Sequence, residues 1–263
     1  MGNCSALLFY ATLERMKIGV YGLGRFGQFW ANHLSRFGSL YGYNRSEKTN
    51  LSPTIKMVDL ETLLECDVLV LCVSISALEE VLKNIGSRIK AGTVVMDTCS
   101  VKVYPAKIMQ TYLDKTVQII ATHPMFGPDS GKNGIENLPL VFSPIRCSDE
   151  NINLWRSIFK EMKLKVLEMD CDTHDQQAAY SQGVTHFVGR VLDELKLEKT
   201  ELATVGYNNL MTIVEQTCND SIQLFYDLQR YNPYAHSMRL RLKEALDVVY
   251  SLLEEQDEKI TEI

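Results

Sequence analysis

Eight short apolar runs, at residues 18–21, 39–43, 55–58, 68–73, 93–96, 117–121, 140–142 and 165–167, punctuate the chain, and none follows residue 170. Helical patterns fill several of the gaps, at 28–37, 77–85 and 152–162; in the last, Ile152, Trp155, Phe159 and Met162 recur at helical spacing. A strand reaches a parallel neighbour only through a crossover of a dozen or more residues, so this alternation predicts a doubly wound α/β sheet. Beyond residue 170 the apolar stripes are helical throughout, at 178–195, 201–216, 221–228 and 233–255, with Asp172-Thr173-His174-Asp175 as the first helix cap. The expected organisation is an α/β domain over 16–170 and an all-α domain over 171–263. A domain of about 90 residues built from such helices needs a partner surface, so a homodimer through the helical domain is expected.

The turn after the first run is Gly22-Leu23-Gly24-Arg25-Phe26-Gly27, immediately before a helix. In that context the first glycine makes the turn, the second lets backbone approach a pyrophosphate, and the third packs helix on strand, while the helix N-terminus supplies donors to phosphate. The α/β domain is therefore read as a Rossmann-type nucleotide-binding domain, with Gly22, Gly24, Arg25, Phe26 and Gly27 in its cofactor loop. The second strand ends in Asn44-Arg45-Ser46, where an NAD enzyme would present a carboxylate to the ribose 2′-hydroxyl. A guanidinium and a hydroxyl suit a 2′-phosphate instead, which favours NADP. The next two strands end in Cys72-Val73-Ser74 and Thr98-Cys99-Ser100-Val101-Lys102. Ligands of open α/β sheets bind beyond the carboxyl ends of strands, so Cys72, Val73, Ser74 and Thr98 join the expected cofactor contacts. Core burial is the alternative for Cys72 and Cys99.

Just past the sixth run stands Thr122-His123-Pro124-Met125-Phe126-Gly127-Pro128. Pro124 forces its predecessor out of the helical region, so His123 is expected in an extended loop at the same edge, positioned as a base.

Charge and cysteine content exclude several classes. Lys and Arg number 19 against 17 Asp and Glu up to residue 170, and 8 against 16 after it, so the second half is acidic and nucleic-acid binding is not expected. Seven scattered cysteines without C-x-x-C spacing fit a reduced, cytoplasmic protein rather than a disulfide framework or a zinc site. No run approaches the roughly 20 apolar residues of a membrane span. Residues 1–15 are expected to be a disordered leader; Ala6 stands where an acylation signal has Ser or Thr.

These motifs together resemble the prephenate/arogenate dehydrogenase family of tyrosine biosynthesis, from Met16 to the C-terminus. The most specific part is the His123 segment with Thr98-Cys99-Ser100-Val101-Lys102. The helical half adds His174-Asp175, Ser181-Gln182-Gly183-Val184-Thr185-His186-Phe187, Gly206-Tyr207 and Asp220-Ser221, a set similar to plant-type arogenate dehydrogenases more than to bacterial prephenate enzymes. The resemblance implies NADP-dependent oxidative decarboxylation of arogenate to tyrosine, with prephenate as the alternative substrate and no metal. It implies that His123, neutral, accepts the proton of the ring hydroxyl and that Ser100 hydrogen-bonds the same hydroxyl. Gln182 and His186, four apart on a helix, are expected to reach substrate, with a buried polar pair as the alternative. Asp220 would sense the arogenate ammonium, with a helix N-cap as the alternative. Bacterial relatives carry an Arg for the substrate carboxylate, whereas Gly206-Tyr207-Asn208-Asn209-Leu210 has none; Lys102 or Arg190 is expected to substitute. Two rival readings remain: a β-hydroxyacid-type dehydrogenase, disfavoured because no Lys lies between 165 and 196, and a non-catalytic NADP-sensing module.

Overall fold

A computed structural model describes residues 15–261, with side chains through residue 256. Apart from Arg15, the expected leader lies outside the described residues. Two compact units divide between His174 and Asp175, just beyond the boundary at 170 read from the sequence.

The first unit is built on β1 (Lys17–Tyr21), β2 (Ser39–Tyr43), β3 (Lys56–Met57), β4 (Val68–Leu71), β5 (Val94–Asp97), β6 (Gln118–Pro124), β7 (Pro139–Arg146) and β8 (Lys165–Glu168). They form one sheet in the order β3-β2-β1-β4-β5-β6-β7-β8, so the winding direction reverses between β1 and β4. Central strands of a sheet covered on both faces are apolar on both faces; β4 and β5 are buried at all four positions each. Helix Asp149–Glu161 lays Phe159 against Phe142 of β7, ring centroids 5.9 Å apart, with Trp155 packed on Phe159 at 5.5 Å. Truncating such an aromatic to Ala costs about 3–5 kcal/mol.

The structure departs from the sequence expectation in several places. β7 pairs antiparallel with β6, so the sheet is mixed rather than wholly parallel; the link between them, residues 125–138, contains no helix that could serve as a crossover. β6 extends three residues past the apolar run, through Thr122, His123 and Pro124, so His123 lies within a strand, opposite Val141, not in a loop. The extended conformation that Pro124 imposes is the one a strand needs. Asp170, not the 172–175 segment, caps helix Cys171–Ala178: its Oδ1 accepts the Thr173 amide at 2.8 Å and its carbonyl accepts the His174 amide at 3.1 Å.

The second unit is helical, with helices Val184–Glu194, Val205–Cys218, Ile222–Tyr231 and Ala235–Thr261. The expected continuous helix at 178–195 is interrupted by a π-helical turn at Ala179–Gly183, a device often found at functional sites. Gly189 lets Val184–Glu194 approach Val205–Cys218 closely, since a Cβ there would lie 2.1 Å from the Thr217 hydroxyl. No described helix is long and apolar enough to cross a membrane.

Candidate active site

One register row sets the first unit's candidate site positions. Tyr43, Tyr21, Leu71, Asp97 and Ala121 are successive partners across β2, β1, β4, β5 and β6. Gly22, Asn44, Cys72, Thr98 and Thr122-His123 come next on those strands, so the sheet delivers them to one edge, as the sequence predicts.

The glycine loop has a distinct physical reason at each position. Gly22 holds φ at +99°, and a Cβ on it would stand 2.4 Å from the Cys72 carbonyl, so strand ends β1 and β4 meet there backbone to backbone. A Cβ on Gly27 would stand 1.9 Å from the Gly22 carbonyl, which locks helix Arg25–Leu34 onto the turn. Around Gly24 there is open space, and this residue caps the helix without any side-chain acceptor, leaving N-terminal amides to a ligand. A dinucleotide pyrophosphate fits that arrangement. Asn44 braces it: Oδ1 accepts the Leu23 amide at 2.9 Å, and Nδ2 donates to the Ser46 carbonyl at 2.8 Å and to its hydroxyl at 3.0 Å. Arg45 is exposed at the tip of this turn.

Phe26 packs on the core with Trp30, centroids 6.2 Å apart, so its backbone is what it can offer a phosphate. Arg25 pairs with Asp129, which follows β6, so the glycine loop and the segment after His123 are tied by an ion pair with both side chains at least half exposed. Such a pair contributes about 0–1 kcal/mol and a phosphate can displace it. The Thr98 hydroxyl donates to the Leu71 carbonyl at 3.2 Å, and Ser74 caps helix Ile75–Ile85 without a side-chain bond to it. Burial pushes the Cys72 thiol up to about 12, so it remains protonated at neutral pH.

Ser100 is 7% exposed and its Oγ has no hydrogen-bond partner. A buried orphan hydroxyl costs about 1–3 kcal/mol and is a feature that a ligand would satisfy. His123 is 3% exposed; burial, then the His174 imidazole and Lys102, hold its pKa well below the ordinary histidine range. It is a neutral imidazole at pH 7. Its Nδ1 lies 2.9 Å from Nε2 of His174, the rings meeting edge to face. The sequence marked His174 as part of a motif without giving it a task.

Lys102 corrects an expectation. Its ammonium is wholly buried, paired with Asp97 and donating to the Thr122 carbonyl at 2.6 Å. Asp97 also accepts the Cys99 and Thr122 amides at 2.9 and 3.2 Å. The pair thus braces the ends of β5 and β6, and a substrate carboxylate would have to compete with Asp97 for the Lys102 ammonium.

In the second unit, Gln182 Oε1, His186 Nδ1 and Arg190 Nε are buried without hydrogen-bond partners, each four residues from the next. Arg190 is anchored by its Nη2, which donates to the carbonyls of Thr217 and Asp220 at 3.2 and 3.1 Å. His186 Nε2 stands 3.9 Å from the Asp220 carboxylate. Burial, then Arg190, push His186 down to about 4, so this contact is not an ion pair at pH 7. Asp220 is not the helix cap: Ser221 is, its Oγ accepting the Leu224 amide at 3.2 Å.

Residues 31–168 match the family model described as prephenate dehydrogenase, nucleotide-binding domain, and residues 191–262 match the TYRAAT1-like C-terminal domain. Arogenate dehydrogenase 2, chloroplastic, of Arabidopsis thaliana is 37% identical over 252 residues, 91% of this chain and 70% of that protein. Arogenate dehydrogenase 1, chloroplastic, of the same plant is 38% identical over 246 residues, 89% of this chain; the chain spans only 38% of that relative's length. Among solved structures, prephenate dehydrogenase from A. aeolicus, in complex with hydroxyphenyl propionate and NAD+, superposes with a TM-score of 0.71 at 18% identity, covering 94% of this chain and 93% of that one.

Proposed function

The chain belongs to the prephenate dehydrogenase family, and from that premise we propose that it catalyses the NADP-dependent oxidative decarboxylation of arogenate to tyrosine. The observation that carries the reading is His123, a buried imidazole kept neutral on the sheet edge that also bears the glycine loop. The likeness to two plant proteins named arogenate dehydrogenases supports arogenate over prephenate.

When bound, the nicotinamide cofactor supplies a hydride acceptor. His123 takes the proton of the ring hydroxyl onto its bare nitrogen, which only a neutral imidazole can do. Ser100, whose orphan hydroxyl lacks a partner, hydrogen-bonds the same oxygen and fixes its approach. After carbon dioxide departs and the ring becomes aromatic, His123 returns the proton to the phenolate oxygen, restoring the neutral base. Gln182, His186 and Arg190 are assigned to substrate recognition by their unpartnered polar atoms, with Arg190 in the carboxylate role that Lys102 is not free to fill alone. Asp220 is assigned to the ammonium that distinguishes arogenate from the ketone of prephenate. Arg45 and Ser46 are assigned to the 2′-phosphate of NADP.

A homodimer through the helical unit is part of the proposal. Leu246, Val249, Tyr250 and Leu253 lie at helical spacing on Ala235–Thr261 and are 58–66% exposed, an apolar stripe that a second copy would cover.

The test is an assay of reduced-cofactor formation with arogenate and prephenate, each with NADP and NAD, on the wild type and His123→Asn. Turnover of arogenate with NADP, falling by about 10²–10⁴ in the variant, is the expected result. A variant with unchanged kcat removes His123 from the chemistry.

A further inference from the structure

The nitrogen-to-nitrogen contact of two buried imidazoles imposes a choice that the proposed chemistry depends on. His123 Nδ1 and His174 Nε2 are 2.9 Å apart, with the residues 3% and 2% exposed. A bond of that length holds one proton between the two rings. If His174 donates, His123 Nδ1 is the acceptor and the single proton of neutral His123 sits on Nε2. If His123 donates, the proton sits on Nδ1 and Nε2 presents a bare lone pair. Only the second arrangement makes Nε2 a base.

We propose that His174 is a positioning residue that accepts the His123 Nδ1 proton and thereby fixes the tautomer in which His123 Nε2 is the unprotonated base. This deepens the reading given above and rests on it. His174 is well placed for such a task. It sits in the first turn of helix Cys171–Ala178, whose start is pinned by Asp170 through the Thr173 and His174 amides, so its ring is carried on a fixed backbone. His123 is fixed equally well by its pairing with Val141 in the sheet. The proton accounting is simple: when Nε2 takes the hydroxyl proton, His123 becomes a cation with protons on both nitrogens, and the bond from Nδ1 to His174 persists and becomes charge-assisted. No proton needs to cross to His174, and no further reactant is required. Burial, the His174 ring and the positive charge of Lys102, itself paired with Asp97, together favour the neutral form of His123.

The experiment combines a spectroscopic and a kinetic readout on the full chain. Nitrogen-15 shifts of wild-type His123 near neutral pH are expected to be pyrrole-type at Nδ1 and pyridine-type at Nε2. His174→Phe keeps a ring but deletes the acceptor; it is expected to lower kcat by about 10- to 100-fold, less than the roughly 10⁴ lost when a charged orienting group is removed from a catalytic triad. KM for the substrate should stay within about twofold, because binding groups are untouched. His174→Gln, which retains an acceptor oxygen, should recover most of the lost kcat. A pyridine-type Nδ1 with a protonated Nε2 in the wild type overturns the inference, and needs no variant to fold. So does a His174→Phe enzyme with wild-type kcat when His123→Asn is inactive. An active His123→Asn enzyme instead defeats the general-base reading itself, while the nitrogen shifts still decide the tautomer.

Discussion

Lys102 and Asp97 face each other with neither side chain exposed at all, one at the end of β5 and the other in the loop that leaves it. Breaking a buried pair leaves a charge without compensation, which costs about 3–5 kcal/mol. Asp97→Asn is therefore expected to lower the urea midpoint strongly. Asp97→Asn combined with Lys102→Met should recover part of the loss, because no buried ion then remains. A double variant no more stable than Asp97→Asn would show that the pair stabilises by geometry rather than by charge.

Two glycines three residues apart are expected to respond oppositely to alanine. Gly24→Ala enters open space at a backbone conformation alanine tolerates, so stability should change by no more than about 0.5 kcal/mol while NADP binding weakens. Gly27→Ala drives a methyl to 1.9 Å from the Gly22 carbonyl and should destabilise by about 1–3 kcal/mol or more. Thermal melts with and without NADP separate the two. Equal melting losses would refute the division of labour within the loop.

Arg45 is exposed beside the braced Asn44 turn. A charge-assisted bond to phosphate contributes about 1.5–3 kcal/mol, so Arg45→Ala should weaken NADP by about 10- to 150-fold and leave NAD little changed. Titration calorimetry with both cofactors checks this. Parallel losses would make Arg45 a structural residue and withdraw the NADP assignment.

The glycine loop was legible because each of its constraints falls on a residue type that nothing else replaces. The shared edge was legible because strand ends can be read from apolar runs. His174 was not, since its task arises from a contact across 51 positions that no local pattern encodes. Helix Val103–Tyr112 escaped notice because Pro105 in its first turn breaks the usual signal, although proline is tolerated there. The antiparallel turn of β7 was hidden for a related reason: an apolar run shows that a strand exists but not its direction. Lys102 looked like an anion site because sequence shows a cation's presence and not the carboxylate already facing it.

Acid should act on stability and on catalysis in different ranges. His186 falls to about 4 when folded and His123 falls well below 6.5, so between those values and 6.5 the unfolded chain binds more protons than the folded one. Stability then rises with pH: it is complete above about 6.5 and declines as pH drops toward 4, with His186 alone accounting for about 3 kcal/mol. For the same reason the acid limb of kcat/KM should lie below the ordinary histidine range, because His123 stays neutral there. Urea titrations from pH 7.5 to 4.5 and a matching rate profile measure both. An acid limb at about 6.5 would contradict a buried neutral base.

Asp220 allows a test of substrate choice that does not touch the helix cap. Ser221 is the helix cap, so altering Asp220 leaves the cap in place. His186, 3.9 Å away and neutral at pH 7, does not cancel the carboxylate's charge. The Asp220 carboxylate is 38% exposed, enough to meet a ligand. Under the proposed role it attracts the arogenate ammonium and meets no such charge on the prephenate ketone, so the same carboxylate favours one substrate over the other. Asp220→Asn is expected to lower kcat/KM for arogenate by about tenfold or more, on the scale of a lost charged hydrogen bond, and to raise it for prephenate. The ratio of the two is the measurement, because a general loss of folding or cofactor binding lowers both together. An unchanged ratio would remove Asp220 from substrate recognition and leave the preference for arogenate without a residue to carry it.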